Sequence, residues 1–367
     1  METKTYSGQS LINKLRHFIK NQNVQVITLV IFVILDTVLI SNIFFSSKKV
    51  EEDFFNYDDS GFDSLLPSTG LSPRALDGLL VSSEATSSRP IAVIIENHFD
   101  AWPQSGVSDA NLVYEFLTEG GITRFLAFFD PASLAPNIGP VRSCRPYFLN
   151  VAEELEAVLS HVGGSPDCLD LLKRRQYNVY DLDEYSKGDY FFRSKIKNPP
   201  HNVYTSTELI TKYLGEKDIP SEHQFENWKY KDDSPTTSTA ASQILVDFST
   251  YTYNVAWQYD EKNNDYRRFV TDEPHKDSNS EEIRAKNIVV QRVKARLLDS
   301  VGRLALTMEG RGDAMVFLDG DAIEGYWKKP DRNSRTRFYS MDGQEIAFNR
   351  GTTWVEILPT DREVNYE

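Results

Sequence analysis

A long apolar stretch near the N-terminus constrains this chain more than any other feature. Residues 24–45 form a run of 22 residues, of which 16 are Val, Ile, Leu or Phe. As a helix, this run is long enough to cross a bilayer core of about 30 Å. Asp36 near its centre costs roughly 2.5–3.5 kcal/mol, whereas the apolar side chains contribute about 5–10 kcal/mol in favour of insertion. We therefore predict one transmembrane helix, in which Asp36 is more simply a tolerated polar residue than the partner of a second helix.

The basic residues around this helix predict its orientation. Four precede it and two follow it: Lys4, Lys14, Arg16, Lys20, Lys48 and Lys49. The excess on the N-terminal side predicts a cytoplasmic tail over residues 1–23 and an extracytoplasmic location for the bulk of the chain. The apolar run is longer than a typical signal-peptide core, and no small-residue cleavage site follows it. We therefore predict an uncleaved, single-pass anchor in the cell membrane.

The charge of the remaining chain excludes several kinds of partner. The whole sequence has 40 basic and 54 acidic residues and a net charge of −14. Residues 1–49 carry six basic and two acidic side chains, so the rest of the chain carries −18. Phosphate neutralisation requires a basic face, so a general nucleic-acid binder is excluded. Adhesion to anionic lipid or polyanionic wall polymers through bulk charge is unfavourable for the same reason.

Composition and periodicity divide the chain beyond the membrane helix into four segments. Residues 46–88 are polar, acidic and rich in Ser, which predicts a flexible stalk. Residues 89–220 combine short apolar strands with helix-start signals and are predicted to form a mixed α/β domain. Residues 221–242 are predicted to be a linker, and residues 243–361 alternate with a period of two, as in a mostly β domain. The predicted fold class is α+β.

Local signals place several turns and helix starts in these domains. Gly120 and Gly121 separate two β-rich runs and predict a hairpin. Ser165 followed by Pro166 predicts the N-terminus of a helix. In the second domain, Asp-Gly pairs at 319–320 and 342–343 predict hairpin turns. The choice between a sandwich and a barrel stays open for this domain.

Two features of the first domain suggest an anion-binding site. Gly163, Gly164 and Ser165 lie between a predicted strand and helix, where free backbone N–H groups favour an anion; by themselves they are more simply a turn and a helix cap. Arg142 and Arg145 are three residues apart and would share one face if their segment were helical. Salt bridges from these arginines to Glu119 or Glu96 are an equally good interpretation.

Acid–base chemistry and metal binding are weaker possibilities. His98, His161 and His201 are three of six histidines, and His161 or His201 with Glu119 could serve as general acid and base. A structural role is the favoured interpretation for each histidine. No close spacing of metal ligands occurs, so we predict no metal site and no cofactor. Cys144 and Cys168 could pair outside the cell, but two cysteines give no spacing pattern, and unpaired cysteines are favoured.

Several segments together resemble a known family. They are ENH at 96–98, WPQSG at 102–106, EGG at 119–121, GPVRSCRP at 139–146, HVGGSP at 161–166, PPHNVYT at 199–205, NIVVQ at 287–291, EGYWKK at 324–329 and GTTW at 351–354. This combination, over roughly residues 89–360, resembles the bacterial YerB-like lipoprotein family (domain of unknown function 3048, with its C-terminal companion domain). The resemblance implies an envelope location and a two-domain fold, but no established activity.

The chain departs from the family pattern in two places. It lacks a lipid-anchoring cysteine, so the transmembrane helix would replace the lipid. Cys144 stands where a small residue is expected, which makes it a poor nucleophile candidate. The motif segments supply the candidate ligand-binding residues: Glu96, Asn97, His98, Arg142, Ser143, Arg145, Gly163, Gly164, Ser165 and Asn202.

Two functions remain open on this basis. The preferred hypothesis is a binding module with an anion-holding cleft in the first domain, whose ligand is a cell-wall fragment or an envelope protein. This hypothesis is motivated by anion-holding groups without a complete catalytic set. The alternative is a hydrolase or transferase acting on cell-wall glycan or peptide, with Glu119 and His161 or His201 as acid and base. The sequence alone identifies neither a ligand nor an enzymatic activity.

Overall fold

The computed structural model describes residues 71–82, 85–236 and 240–367. The predicted cytoplasmic tail, the membrane helix at 24–45 and the first part of the stalk lie outside these residues. The described part contains three α-helices: α1 (Pro146–Ala152), α2 (Pro166–Lys173) and α3 (Thr207–Glu216). None of the helices in this part is long and apolar enough to cross a membrane.

Most of the regular structure is β. The strands before residue 220 are β1 (Leu71–Pro73), β2 (Leu80–Ser82), β3 (Ile91–Glu96), β4 (Leu112–Leu117), β5 (Thr123–Phe129), β6 (Val158–His161), β7 (Tyr180–Asp183), β8 (Phe192–Arg193) and β9 (Val203–Tyr204). The later strands are β10 (Lys229–Lys231), β11 (Gln243–Asp247), β12 (Asn254–Asp260), β13 (Asp265–Val270), β14 (Glu273–Pro274), β15 (Arg284–Ala285), β16 (Asn287–Val293), β17 (Ala295–Leu297), β18 (Leu304–Leu306), β19 (Gly310–Leu318), β20 (Asp321–Lys329), β21 (Arg337–Ser340), β22 (Ala347–Asn349), β23 (Thr353–Pro359) and β24 (Val364–Tyr366). The structure is therefore mostly β with few helices.

One ten-stranded sheet is the centre of the fold. Its strand order is β21-β20-β19-β16-β23-β4-β5-β3-β6-β7. Strand β23, near the C-terminus, pairs in parallel with β4, so that Thr353 lies opposite Leu112 and Ile357 opposite Phe116. The sheet thus continues without a break from the first predicted domain into the second, although a linker was predicted between them.

Both faces of the central sheet are covered, because its side chains alternate between two apolar clusters. On β3, Ile91, Val93 and Ile95 belong to one cluster, and Ala92 and Ile94 belong to the other. This alternation is the period-two geometry of a strand. A strand that is buried on both faces has apolar residues at consecutive positions in its sequence. This explains why the sequence around β3 shows no alternation.

Different elements cover the two faces. A second sheet, with the order β14-β13-β12-β11-β24 and with β15 paired to β13, packs on the first face together with α3. Trp257 of β12 contacts Trp354 of β23 there, with ring centroids 5.3 Å apart. Helices α1 and α2 contribute to the cluster on the opposite face. The C-terminal half is therefore a layered arrangement of two sheets rather than an independent barrel.

Both predicted connecting segments are partly folded. Strands β1 and β2 form a hairpin, and Leu76 between them is 4% exposed. Residues 71–82 are therefore folded, although the flexible stalk was predicted to reach residue 88. In the predicted linker, β10 pairs in parallel with β22, and Trp228 is buried against Phe348. These segments are folded because their apolar side chains are buried in the core.

Two of the three predicted hairpins join paired strands, whereas the turn at Asp342 and Gly343 closes only on an isolated bridge between Tyr339 and Glu345. Gly120 and Gly121 join the antiparallel strands β4 and β5 with φ values of 71° and 74°. Asp319 and Gly320 join β19 and β20 with φ values of 58° and 78°. Positive φ is the conformation that glycine adopts without a steric penalty and that Asp tolerates better than most residues.

Candidate functional site

The segment at residues 138–145 brings most of the candidate loops together. Its backbone bridges to β3 through Ile95 and Val141, and to the loop after β6 through Cys144 and Gly164. A further hydrogen bond runs from the Val141 N–H to the carbonyl of Val203 in β9. These backbone bonds place residues from three distant parts of the chain beside Arg142 and Arg145. The segment is not helical, because α1 begins only at Pro146.

Arg142 pairs with Glu96. Its Nε atom lies 2.9 Å from Glu96 Oε1, and the other oxygen of that carboxylate accepts a hydrogen bond of 2.8 Å from His201 Nδ1. The Glu96 side chain is 5% exposed, whereas that of Arg142 is 23% exposed. Glu96 therefore fixes an arginine and a histidine from separate loops. This is one of the salt bridges that the sequence offered as an alternative to anion binding.

Arg145 pairs with Glu119, the other predicted partner. Its guanidinium donates two hydrogen bonds to this carboxylate, at 2.5 and 2.9 Å. Burial alone would raise the pKa of Glu119, but the hydrogen bonds and charge of Arg145, together with the charge of Arg124, lower it below its usual range. Glu119 is therefore ionised at neutral pH. An ionised carboxylate serves as a charge partner and cannot act as a general acid.

Arg124 is a third arginine at this place and was missed by sequence reasoning. It lies on β5, inside an apolar run, and its side chain is 12% exposed. Its guanidinium donates to the carbonyl oxygen of Ser143 at 3.2 Å and lies 3.9 Å from Glu119. Burial and the nearby charge of Arg145 lower its pKa to about 10. Burial is the larger cause, so the shift reflects mainly the removal of this guanidinium from water.

We call Arg124, Arg142 and Arg145 the arginine cluster. Two carboxylates, Glu96 and Glu119, face these three guanidinium groups. The set therefore carries one positive charge in excess. Guanidinium groups bind carboxylate and phosphate through paired hydrogen bonds, so this excess charge favours an anion.

His161 lies apart from this chemistry. Its side chain is fully buried, with Nδ1 2.8 Å from the carbonyl oxygen of Gly163 and Nε2 2.8 Å from Asp181 Oδ1. Both ring nitrogens are thus engaged in holding β6 to β7 and to the following loop. Among the described residues, no hydrogen bond or ion pair joins Glu119 to His161 or His201. The structure gives no support to an acid–base pair made from these groups.

The glycine loop binds its own neighbours. The Gly163 N–H donates to Asp183 Oδ1 at 2.8 Å, and the Ser165 N–H donates to the carbonyl of Cys144. The Ser165 hydroxyl accepts from the Cys168 N–H at 3.3 Å and caps α2. A Cβ atom on Gly164 would lie 3.1 Å from Cys144, which explains the small residue there. The loop therefore matches the turn-and-cap interpretation.

The two cysteines are joined. Cys144 and Cys168 form a disulfide that ties the segment at 138–145 to α2, and both residues are buried. The expectation of unpaired cysteines is wrong, because the backbone bonds between Cys144 and the glycine loop bring α2 close to it. The disulfide also removes Cys144 as a nucleophile, in line with the sequence analysis.

The two candidate asparagines are buried within the fold. Asn202 Oδ1 accepts from Arg193 at 3.2 Å, next to β8. Asn97 Oδ1 accepts from Trp102 Nε1 and from Gln104, each at 2.7 Å. Neither side chain is directed at an external ligand by these contacts. His98, in contrast, lies at the surface and stacks on His201, with ring centroids 5.3 Å apart.

Sequence reasoning also missed a closed ring of buried hydrogen bonds between the two halves of the chain. Arg268 donates to His275 (2.6 Å), His275 donates to Gln104 (3.0 Å), and Gln104 donates to Asn97 (2.7 Å). Asn97 then donates to Thr123 (2.7 Å), and Thr123 donates to Glu115 (2.6 Å). Arg268 closes the ring, because it also donates to Glu115 (2.7 Å). We call these six residues the buried ring. Burial and the charge of Arg268 hold the pKa of His275 well below its usual value, so this histidine is neutral and accepts from Arg268.

One signal could have revealed this ring. In strand β4, Glu115 occupies an inward position between Val113 and Leu117, where an apolar residue is expected. A charged residue in such a position requires a buried partner. The partner, Arg268, lies 153 residues away on β13, and the sequence gives no indication of that pairing.

Comparison with known proteins identifies the family. Residues 76–220 match the N-terminal domain, and residues 244–355 the C-terminal domain, of the protein family of unknown function DUF3048. The chain is 32% identical to "Putative lipoprotein YerB" of Bacillus subtilis (strain 168) over 305 residues, which are 80% of this chain and 88% of the relative. The crystal structure of the YerB protein from Bacillus subtilis superposes with a TM-score of 0.71 at 30% identity, over 79% of this chain and 98% of that one. The chain therefore belongs to the DUF3048 family and contains both of its domains.

Proposed function

We propose that this chain is a membrane-attached, extracytoplasmic binding module of the cell envelope, and that an anionic ligand binds at its arginine cluster. The observation that carries the binding role is the charge imbalance of three guanidinium groups against two carboxylates. Arg142 is the most exposed of the three and is the first group that a ligand would meet. A carboxylate or phosphate there would supply the third negative charge, since Glu96 and Glu119 supply only two for the three arginines.

Three observations support the proposed location. A relative is named as a lipoprotein. Residues 24–45 have the length and composition of a membrane helix and could take the place of a lipid anchor. The disulfide between Cys144 and Cys168 belongs to a type of bond that persists mainly in oxidising compartments outside the cytoplasm.

Ligand binding is tested by thermal unfolding of the full-length protein in a mild detergent. Inorganic phosphate and soluble, carboxylate-bearing cell-wall fragments are added separately. We expect at least one of them to raise the midpoint of unfolding, because a ligand that binds only the folded state stabilises it. Arg142→Gln and Arg145→Gln should abolish this increase, because each removes a guanidinium from the cluster.

Arg174→Gln is the matched control, because Arg174 also pairs with a carboxylate, Asp170, but is 64% exposed directly after α2. This variant should respond to the ligand as the wild type does. If neither probe stabilises the wild type, or if the two cluster variants respond like the control, the binding proposal is wrong.

The location is tested independently of the ligand. External protease is added to intact cells from which the wall has been removed. We expect the folded region to be cut without lysis, because the proposed topology places it outside the membrane. Cleavage that requires lysis would show the opposite orientation and would overturn the proposed location.

A further inference from the structure

Two loops bring a second cluster of polar side chains to the surface beside Glu96. His98 and Asp100 follow β3 directly, and His201 precedes β9. Asp100 Oδ2 lies 3.5 Å from His98 Nδ1 and 3.9 Å from His201 Nε2. One ligand atom from each of the three side chains lies within 4.8 Å of the others. Two imidazoles and one carboxylate therefore lie close together at this place.

The distances fit a small metal ion. Zinc binds imidazole nitrogen and carboxylate oxygen at about 2.0–2.2 Å, usually with tetrahedral geometry. Ligand atoms around such an ion lie roughly 3.3 Å apart, which follows from those bond lengths. The separations of Asp100 from His98 and His201 exceed this value by about 0.2 and 0.6 Å. All three ligand atoms lie within 4.8 Å of one another, so rotations of the side chains would close the site.

A second, independent feature points to the same ligand. Glu96 accepts a hydrogen bond of 2.8 Å from His201 Nδ1, which leaves Nε2 of this ring facing Asp100. Metal-binding histidines almost always donate their other ring N–H group to a carboxylate or a carbonyl, which fixes the orientation of the ring. Arg142 in turn pairs with Glu96, so the carboxylate that orients the His201 ring is itself held in place.

The local contacts leave the Asp100 carboxylate accessible and engage the His98 ring only weakly. Asp100 is 55% exposed and His98 is 23% exposed. His98 Nδ1 accepts one long hydrogen bond of 3.2 Å from the Asp100 N–H, and a metal ion would take over that lone pair. Lys197 is the cationic group that interacts electrostatically with Asp100, but its ammonium donates to the carbonyl of Trp102. The Asp100 carboxylate is thus available to a cation.

We propose that His98, Asp100 and His201 form a binding site for a divalent transition-metal ion of the zinc class. Three protein ligands would leave a fourth position open to water or to a group of another molecule. Two imidazoles and one carboxylate suit zinc or cobalt better than calcium or magnesium, which prefer oxygen ligands alone. This site differs from the arginine cluster, and its existence does not depend on anion binding there. It also departs from the sequence-based expectation of no metal.

The test uses the full-length protein in detergent after treatment with a chelator and removal of that chelator. Co²⁺ is added as a spectroscopic probe, since its visible absorption reports tetrahedral coordination, and Zn²⁺ is then added as a competitor. We expect one Co²⁺ per chain, an absorption band typical of tetrahedral coordination, and loss of that band when Zn²⁺ is added. The variants Asp100→Asn and His201→Gln should each weaken binding at least tenfold.

His223→Gln provides a matched control. His223 lies 3.5 Å from Glu156 and is 17% exposed, close to the 16% of His201, but no third ligand from the part of the chain that the structure describes joins that pair. This variant should bind the metal as the wild type does. Asp100→Asn is suited to the test because Asp100 is exposed, and its effect on folding can be followed by circular dichroism.

The proposal would be overturned by either of two results. The first is that the wild type shows no saturable Co²⁺ or Zn²⁺ binding. The second is that folded Asp100→Asn and His201→Gln bind as tightly as the wild type does. Loss of metal binding in these variants with an unchanged response to anions would show that the two sites are separate.

Discussion

Glu115 and Glu356 lie directly opposite each other on the neighbouring parallel strands β4 and β23, and both side chains are completely buried. A single arginine, Arg268, donates to Glu115, while Glu356 accepts from the indole of Trp257 at 2.8 Å. Burial and the charge of Glu115 raise the pKa of Glu356 well above its usual value. The pair therefore carries one negative charge, which Arg268 balances. Two carboxylates can share this core because one of them keeps its proton.

The two carboxylates should respond differently to substitution. Glu356→Gln replaces a neutral acid by a neutral amide of the same shape, and we expect the free energy of unfolding near pH 4.5 to change by less than about 1 kcal/mol. Glu115→Gln breaks the buried ion pair with Arg268 and should cost about 3–5 kcal/mol. Chemical denaturation near pH 4.5 measures both changes. Equal losses in the two variants would show that Glu356 is ionised.

The proton on Glu356 should make stability depend on pH in a defined direction. The folded protein keeps this proton above the usual carboxyl pKa of 4.5, whereas the unfolded chain releases it. The folded state therefore binds more protons, and its contribution to stability falls as the pH rises from 4.5 towards the folded pKa. The free energy of unfolding falls by about 1.4 kcal/mol for each pH unit in this range. Denaturation of both proteins across this range should show that the wild type loses stability relative to Glu356→Gln by this amount, and a constant difference would contradict the assignment.

His275 should produce the opposite dependence. Its pKa in the folded state lies well below 6.5, so the folded ring stays neutral while the unfolded ring takes up a proton. The unfolded state then binds more protons, and the contribution of His275 is present above pH 6.5 and is lost as the pH falls below it. We expect the wild type to lose about 1.4 kcal/mol per pH unit from this source. His275→Asn cannot titrate in this way, so its denaturation curves should lack that loss even if its overall stability is lower.

The disulfide should contribute measurably to stability. Cys144 and Cys168 are 24 residues apart, and closing a loop of this length restricts the unfolded chain by about 3 kcal/mol. The double variant Cys144→Ala, Cys168→Ala should lose that amount in denaturation with urea. A reducing agent should destabilise the wild type, whereas the double variant should be unaffected. The same response in both proteins would show that the bond contributes nothing.

Much of the strand pattern was predictable because it depends on neighbours in sequence. The alternation over residues 243–361 predicts a mostly β domain, and strands β11 to β23 lie within that range. The glycines at 120 and 121 predict the β4–β5 hairpin, since their requirement for positive φ is local. The order of strands in the central sheet could not be predicted from the sequence, because the pairing of β4 with β23 joins residues more than 200 positions apart.

The candidate site was predictable only in part, for a related reason. The sequence offered salt bridges from Arg142 and Arg145 to Glu96 and Glu119, and the structure contains one of each. Which arginine meets which glutamate depends on the path of the segment at 138–145, and the sequence does not reveal that path. Arg124 was overlooked because it lies in an otherwise apolar run, where a single charge is usually assigned to the solvent face of a strand.

The continuity of the central sheet has a consequence for how this protein can be divided. If the chain were cut near residue 235, β4 in one fragment and β23 in the other would each lose the neighbour that satisfies one row of their backbone hydrogen bonds. Bare strand edges of this kind invite pairing with other molecules. The two family domains are therefore separate in sequence only. Neither is expected to be soluble when produced alone, and genetic rearrangements should keep them together as a single inherited unit.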